Sequence, residues 1–306
     1  MDTILQTDGL TKIYGKKVKK TVVDHVSVCV RRGDIYGLIG KNGAGKTTFM
    51  RMVLGFAIPN EGTVKLFGGE SQKTAGQKIG SLIEAPAFYS GCTALENLKY
   101  FSLLSGREEN KEIPEARLQA LIEMVGLADA GKKKVGHYSL GMKQRLGLAI
   151  AMIGDPEFLV LDEPVNGLDP AGIRDVRDAI RRLNHESGVT ILISSHLLDE
   201  LAKVATKYGI LNEGKLVEEI TAEELEERCR HNMTLTVDDP ARAREILLRM
   251  IPREDLLIEQ QKITIFSHTE ESARFNRKLV EGGVDVFELT THTRGVEDFF
   301  IERIGG

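Results

Sequence analysis

The segment from residue 40 to residue 48 holds the residue types that bind phosphate: Gly40, Lys41, Asn42, Gly43, Ala44, Gly45, Lys46, Thr47 and Thr48. Its glycines let the backbone turn tightly, so that successive N–H groups point at phosphate oxygens, and the helix predicted to begin near Lys46 adds its positive N-terminal end. Lys46 is placed to reach the β- and γ-phosphates, and the Thr47 hydroxyl to ligate Mg²⁺. An apolar strand precedes the segment and an apolar helical pattern follows it. We therefore expect a nucleoside triphosphate site here and not a glycine-rich turn without a ligand.

Two carboxylates and a histidine follow predicted buried strands further along the chain. Asp162 and Glu163 come directly after the apolar run 158–161, and His196 comes directly after the run 189–195. Asp162 is placed to hold Mg²⁺, usually through water, and Glu163 to polarise a water aimed at the γ-phosphate. His196 ends a strand of the same predicted sheet and could hydrogen-bond the γ-phosphate; the alternative is an ordinary surface or core histidine.

A second anion site is predicted at Ser139 and Gly141, where an apolar helix begins. The Ser139 hydroxyl, the backbone N–H groups and the helix dipole could together bind a phosphate. The alternative is an ordinary capped helix.

Tyr14 and Glu84 are two further candidates. The Tyr14 ring lies shortly upstream of the phosphate loop and could stack on a nucleotide base, with core packing as the alternative. Glu84 follows a short apolar run and precedes Pro86, so it sits at a strand end, where nucleotide sites in open sheets are built.

The elements that must position these side chains form an α/β pattern with additions. Residues 4 to 30 alternate apolar and polar like antiparallel strands, and about 90 to 155 read as a helical subdomain, with Thr93 and Glu96 as a capping box. A turn at 166–170 precedes a helix predicted over 172–183. From residue 221 to 306 the pattern changes to alternating short strands and helices, which predicts a small accessory α+β domain after a first domain of residues 1 to 220.

The composition narrows the class of protein. Lys and Arg number 41 against 45 Asp and Glu, and the net charge of −4 offers no global attraction to nucleic acid. The three cysteines lie far apart without metal-ligand spacing, as is typical of reduced thiols in the cytosol. The N-terminus lacks the order of a signal peptide, and no apolar run reaches the roughly 18 residues that span a bilayer. If this protein works at a membrane, we expect another chain to hold it there.

With these motifs in order, residues 4 to 220 resemble the nucleotide-binding subunit of ATP-binding-cassette (ABC) transporters. The resemblance rests on the phosphate loop, the signature-like segment YSLGMKQR, the strand ending in Asp162 and Glu163, the turn at 166–169 and His196. It implies a P-loop NTPase fold: a RecA-like α/β core, an N-terminal antiparallel β subdomain and a helical subdomain that carries the signature. The residues from 221 onward then form a C-terminal α+β appendage.

Two departures from the usual family pattern are informative. The common signature is Leu-Ser-Gly-Gly-Gln, whereas Leu140 and Met142 replace its first glycine and its glutamine here. Glu84 stands where most cassettes carry a glutamine that contacts the metal and the attacking water, which implies a catalytic and metal-binding place for this residue and a link to the permease. The segments SLIEAPAFYSGCTALENL and YSLGMKQRLGLA are similar to the bacitracin- and lantibiotic-resistance branch.

The resemblance implies ATP and Mg²⁺ as cofactors and two partners. A second cassette, identical or not, would pair head to tail, so that each ATP lies between the phosphate loop of one subunit and the Ser139 end of the other. A separately encoded integral-membrane permease would hold the pair at the cytoplasmic face of the membrane and export an antimicrobial peptide or antibiotic. No nucleic acid is expected as a partner.

The sequence lacks the features expected for two other functions. A soluble ABC ATPase acting on DNA or the ribosome would carry a long coiled coil or two cassettes in one chain, and neither feature is present in the sequence. A regulatory ATP-binding module without turnover would lack Glu163 or His196, and both are present.

Overall fold

A computed structural model describes residues 2–15, 18–70, 72–83, 87–104, 113–229, 232–292 and 295–305. The predicted site residue Glu84 lies outside these ranges. The chain divides into two compact units, one of Met1–Ala222 with Arg303–Gly306 and one of Glu223–Glu302.

The first unit mixes strands and helices. Its elements, in chain order, are β1 (Thr3–Tyr14), β2 (Lys20–Val26), β3 (Cys29–Arg31), β4 (Ile35–Ile39), α1 (Lys46–Val53), β5 (Glu61–Leu66), α2 (Gln72–Gly76), β6 (Ile79–Leu82), α3 (Ala94–Leu104), α4 (Glu115–Met124), α5 (Leu140–Ala151), β7 (Phe158–Asp162), α6 (Pro170–Ser187), β8 (Thr190–Ser195), α7 (Leu198–Ala202), β9 (Lys207–Asn212) and β10 (Lys215–Thr221).

A six-stranded sheet in the order β10-β9-β4-β8-β7-β6 forms the core of this unit, and only the pairing of β10 with β9 is antiparallel. Every residue of β4 and β8 is buried, because a parallel sheet is covered on both faces, and this fits the apolar runs at 35–39 and 191–193. The register pairs Ile39 with Ser195 and Asp162 with Ser194. The carboxyl ends of β4, β8 and β7 therefore meet at one edge, directly before the phosphate loop, His196 and Glu163.

The predicted N-terminal antiparallel strands form a second sheet. In it β1 pairs with β2, β3 and β5, all antiparallel. Its apolar side chains share a buried cluster with α1, including Leu5, Val30, Phe49 and Met50. This packing fixes the helix that follows the phosphate loop.

The predicted helical segment contains α3, α4 and α5, with two short 3-10 turns between the last two. The capping box is confirmed: the Thr93 N–H donates to Glu96 Oε2 at 2.7 Å, and the Glu96 N–H donates to Thr93 Oγ1 at 3.3 Å. The helix predicted over 172–183 is longer than expected. It begins at Pro170, because Asp169 caps it through the Gly172 N–H, and it ends at Ser187 before a left-handed glycine.

The second unit is a β-α-β-β-α-β arrangement flanked by two helices. The elements from its start are α8 (Ala222–Arg228), β11 (Asn232–Val237), α9 (Pro240–Leu247), β12 (Leu256–Glu259), β13 (Lys262–Ile265), α10 (Ser272–Glu281), β14 (Val286–His292) and α11 (Val296–Gly305). The sheet order β12-β13-β11-β14, antiparallel throughout, is that of ferredoxin-like folds. Leu235, Val237 and Ile263 pack with Phe275 and Leu279 in its core. Strand β12 was not predicted, because only alternate residues of its short apolar run are half-buried.

Candidate active site

The phosphate loop joins β4 to α1 in a conformation that needs glycine at two positions. Gly45 precedes α1 with φ of 103°, and a Cβ there would lie 2.5 Å from the Val22 carbonyl oxygen. A Cβ on Gly40 would lie 2.4 Å from the Leu211 carbonyl oxygen. Side chains are therefore excluded from both ends of the loop.

The remaining loop residues differ in exposure. Lys41, Asn42 and Gly43 are exposed at the tip, Ala44 is buried, and Thr47 and Thr48 are half-buried at the start of α1. The tip is thus the part of the loop that a ligand can reach directly.

Lys46 is buried beneath this tip and is held by the loop itself. Its Nζ donates to the carbonyl oxygens of Gly40 at 2.7 Å and Lys41 at 3.3 Å. It also lies 3.0 Å from Glu163 Oε1. A buried ammonium needs such partners, and the same three donor directions can serve phosphate oxygens.

The structure brings together Thr47 and Asp162, two of the residues that the sequence suggests as metal ligands. The Thr47 hydroxyl donates to Asp162 Oδ2 at 2.7 Å. A hydroxyl and a carboxylate are oxygen ligands of the kind that Mg²⁺ prefers, so the residues present fit this metal. The Ser194 hydroxyl, which the sequence analysis did not single out, donates to the other oxygen, Oδ1, at 2.6 Å.

Glu163 lies between two cationic or potentially cationic groups. Its Oε1 faces Lys46, and its Oε2 lies 2.6 Å from His196 Nδ1. The residue has a φ of 49°, a left-handed conformation that costs a non-glycine residue about 1–3 kcal/mol. Because β7 ends at Asp162 and the chain turns at once, this conformation brings the Glu163 carboxylate beside Lys46 at the end of the phosphate loop.

His196 is neither an ordinary core histidine nor an isolated surface one. Its side chain is 31% exposed, and its Nδ1 is taken by the Glu163 carboxylate, which can only accept a hydrogen bond. Nε2 is then the ring nitrogen left for a phosphate.

Ser139 and Gly141 are not brought to this cluster. Among the described residues, no hydrogen bond or ion pair joins either of them to the phosphate loop. Ser139 is exposed and caps α5 by accepting from the Met142 N–H at 3.2 Å. Gly141 is buried, and a Cβ on it would lie 3.2 Å from Gly172 Cα in α6. Within one chain, α5 therefore begins as a capped helix packed closely against α6.

Tyr14 lies at the end of β1 with 44% of its surface exposed. The core-packing alternative for this ring is therefore wrong. Lys12 Nζ lies 5.1 Å from the ring centroid, in a cation–π arrangement that leaves much of the ring open to a stacking partner.

Comparison with known proteins places the chain in a family. The family model described as ABC transporter matches residues 23–166. The bacitracin transport ATP-binding protein BcrA of Bacillus licheniformis is 41% identical over all of this chain and 99% of its own length. The lantibiotic transport ATP-binding protein SrtF of Streptococcus pyogenes is 40% identical over 70% of this chain and 89% of its own.

Solved structures agree with this assignment. An ATP-binding subunit of an ABC transporter matches at 27% identity with a TM-score of 0.61, over 74% of this chain and 92% of the other. A dimeric cassette bound to ADP and Pi shares the fold at 20% identity with a TM-score of 0.62, over 72% and 99%. The chain belongs to the ATP-binding subunits of ABC transporters.

The protein is accordingly an ATPase that binds ATP and serves a transporter with a membrane permease. The alternative of a soluble ATPase acting on nucleic acid or the ribosome is not favoured, and membership of this family supports ATP hydrolysis over a module without turnover. Within the described part of the chain, no helix has the length and apolar character needed to cross a membrane.

Proposed function

We propose that this subunit powers the export of an antimicrobial peptide or antibiotic through a separate permease. Support comes from relatives named for bacitracin and lantibiotic transport, the first of which matches the second unit as well as the cassette. In this proposal the permease holds the subunit at the cytoplasmic face of the membrane, and residues 221 to 306 form an accessory domain.

The proposed site assigns each polar group near the loop to one part of MgATP. The phosphate loop and Lys46 bind the phosphates, the exposed Tyr14 ring stacks on the base, and Thr47 with Asp162 holds Mg²⁺. When bound, Mg²⁺ neutralises charge on the phosphates. Glu84 is proposed to contact the metal and to link nucleotide state to the permease.

The observation that carries the proposed chemistry is the row formed by Lys46, Glu163 and His196. In this row Lys46 and His196 hold the two oxygens of one carboxylate. Arriving phosphate oxygens compete with Glu163 for the Lys46 ammonium, and a carboxylate released from Lys46 can accept a proton from water. Binding of ATP would thus free Glu163 for its part in hydrolysis.

Glu163→Gln tests this assignment, because the amide keeps the shape but removes the charge. We expect ATP turnover to fall by about 10²–10⁴-fold while MgATP still binds. Resistance or transport in cells with the cognate permease should be lost as well. Exposed Glu186 offers a matched control, and Glu186→Gln should keep the wild-type rate. Wild-type hydrolysis by Glu163→Gln would exclude the assignment.

A head-to-tail pair of cassettes is proposed as the working unit. The Ser139 end of α5 is exposed, and no acidic residue lies in its first turn, so a phosphate held by another subunit could approach it. We infer that Gly141 contributes by letting α5 pack closely on α6.

Mixing two inactive variants tests the pairing. Ser139→Arg fills the anion site but leaves the phosphate loop intact. Lys46→Ala disables the phosphate loop but leaves the Ser139 end intact. A mixed pair contains one composite site free of both substitutions, so we expect ATP-dependent pairing and partial turnover only in the mixture. Failure of the mixture to pair, when each variant is folded, would argue against the head-to-tail arrangement.

A further inference from the structure

Ser194 joins the ends of two strands at the candidate active site. It lies in β8 opposite Asp162 of β7 and is 0% exposed. Its hydroxyl donates to Asp162 Oδ1 at 2.6 Å and accepts from the Glu163 N–H at 2.9 Å. One small side chain thus contacts both acidic residues of the site.

These two contacts constrain different degrees of freedom. An aspartate carboxylate rotates over a broad, roughly two-fold torsion, so a hydrogen bond to Oδ1 fixes which way Oδ2 points. Oδ2 is the oxygen that meets the Thr47 hydroxyl. The bond from the Glu163 N–H helps to hold a residue whose φ of 49° is unfavourable for any residue with a side chain.

The neighbouring serine does not share this arrangement. Ser195 is also buried, but its Oγ accepts from the Leu197 N–H at 2.9 Å and so serves the turn that follows its own strand. Thr190, at the other end of β8, is 0% exposed and accepts from the Gly33 N–H at 2.9 Å, away from the site. Other residues of this strand also have a buried hydroxyl. Among these three residues, only Ser194 hydrogen-bonds both Asp162 and Glu163.

We propose that Ser194 is a positioning residue that orients the Asp162 carboxylate for Mg²⁺ and holds the Glu163 backbone. The inference rests on the proposed metal-binding role of Thr47 and Asp162. Groups that hydrogen-bond a ligating carboxylate typically change metal affinity by about 10- to 100-fold when removed. Ser194 acts through Asp162 and does not itself need to touch the nucleotide.

The test compares Ser194→Ala and the nearly isosteric Ser194→Cys with Thr190→Val, which removes an equally buried hydroxyl from the same strand. ADP affinity is measured by calorimetry across a Mg²⁺ titration and again in excess EDTA. Mg²⁺ is expected to enhance ADP affinity, and we expect the Mg²⁺ concentration that gives half of this enhancement to rise by about 10-fold or more in both Ser194 variants. ADP affinity in EDTA should stay at the wild-type value, which also shows that each variant is folded. Thr190→Val should follow the wild-type titration.

Combination with Asp162→Asn makes the test specific. If Ser194 acts through Asp162, the double variant Ser194→Ala/Asp162→Asn should titrate like Asp162→Asn alone. Wild-type Mg²⁺ dependence in Ser194→Ala, or an equal shift in Thr190→Val, would overturn the inference. Absence of Mg²⁺ dependence in the wild type would instead overturn the proposed metal site.

Discussion

The Glu200 side chain, four residues after His196, shows how a surface carboxylate can stabilise a functional segment. It accepts from Lys203 Nζ at 2.6 Å and from Arg177 of α6 at 3.0 Å. The Lys203 hydrogen bond, assisted by Arg177, holds the pKa of the Glu200 carboxyl below its ordinary value, although partial burial opposes the shift. This ion pair fastens α7, and with it the chain beyond His196, to α6.

The lowered pKa of Glu200 predicts a pH-dependent contribution to stability. A carboxyl with a depressed folded-state pKa stabilises above its unfolded pKa, and the stabilisation is lost as pH falls through the folded-state value. Glu200→Gln should therefore lower the free energy of unfolding at pH 7 by about 0.5–1 kcal/mol, since its partners are partly solvated. The difference from wild type should shrink toward pH 3.

Thermal unfolding of the first unit at several pH values would measure this effect. Exposed Glu123 provides the control, and Glu123→Gln should change little at any pH. A constant difference between Glu200→Gln and wild type from pH 7 to pH 3 would show that charge is not the cause.

At the residue scale, the positions of the loop and the acidic pair at strand ends can be predicted from the sequence, because each carries a spacing or follows an apolar run. Ser194 escaped prediction for a physical reason. A hydroxyl at the end of an apolar strand has no spacing signal, and its meaning depends on the β7–β8 register, which pairs it with Asp162. The sequence places Gly141 at the predicted anion site, whereas its burial against Gly172 depends on how α5 packs on α6, which no spacing in the sequence indicates.

At the element scale, the contact between α5 and α6 depends on two residues without side chains. A Cβ added to Gly141 would lie 3.2 Å from Gly172 Cα. Because Gly172 Cα is a backbone atom, it can move away only if one of the two helices shifts. Arg145 and Asp175, about one turn further along, form an ion pair at 3.1 Å. The two helices therefore run in the same direction from a shared glycine contact.

Gly141→Ala should separate the starts of these helices by a few tenths of an ångström. We expect a loss of about 1–3 kcal/mol in unfolding free energy from overpacking, partly offset by the better helix propensity of alanine. Gly154→Ala is the matched control, since no atom lies within 4 Å of its added Cβ. Chemical denaturation of both variants would decide the matter: equal stability would mean that α5 and α6 adjust without cost.

Helices with a capping signal were predicted better than short strands. The capping box placed the start of α3, whereas α6 began earlier than predicted because Asp169 and Pro170 form its cap and first turn. Strands β9, β10 and β12 were not predicted. Strand β10 lies at a sheet edge and is only partly buried, so its sequence is hard to tell from a loop unless its pairing with β9 is known.

At the scale of the whole molecule, β10 marks where the cassette can be cut. It runs to Thr221, and Ile220 within it is 0% exposed. Glu219 accepts from the buried Tyr36 hydroxyl at 2.7 Å. Burial is the main cause that raises the pKa of the Tyr36 hydroxyl well above its ordinary value, and the Glu219 carboxylate adds to it. The hydroxyl therefore stays protonated and needs an acceptor for its hydrogen bond.

A chain ending after Ala222 should therefore fold and bind ATP, whereas one ending after Gly214 should not. The shorter chain lacks β10 and leaves the Tyr36 hydroxyl buried without Glu219, a loss of about 1–3 kcal/mol before the missing packing of Ile220 is counted. Circular dichroism and ATP affinity of the two chains would test the difference. A folded chain without ATP binding after the cut at Ala222 would show that the second unit completes the site.

The different caps at the N-terminal ends of α5 and α6 also affect how fast two subunits could meet. Each helix carries about half a positive elementary charge at its N-terminal end. Asp169 offsets this charge on α6, while Ser139 caps α5 without a negative group in the first turn. The Ser139 end thus keeps a local positive field on a chain whose net charge is −4. Such a field acts over a screening length of about 8 Å at physiological salt. Pairing driven by ATP held on another subunit should therefore slow as ionic strength rises.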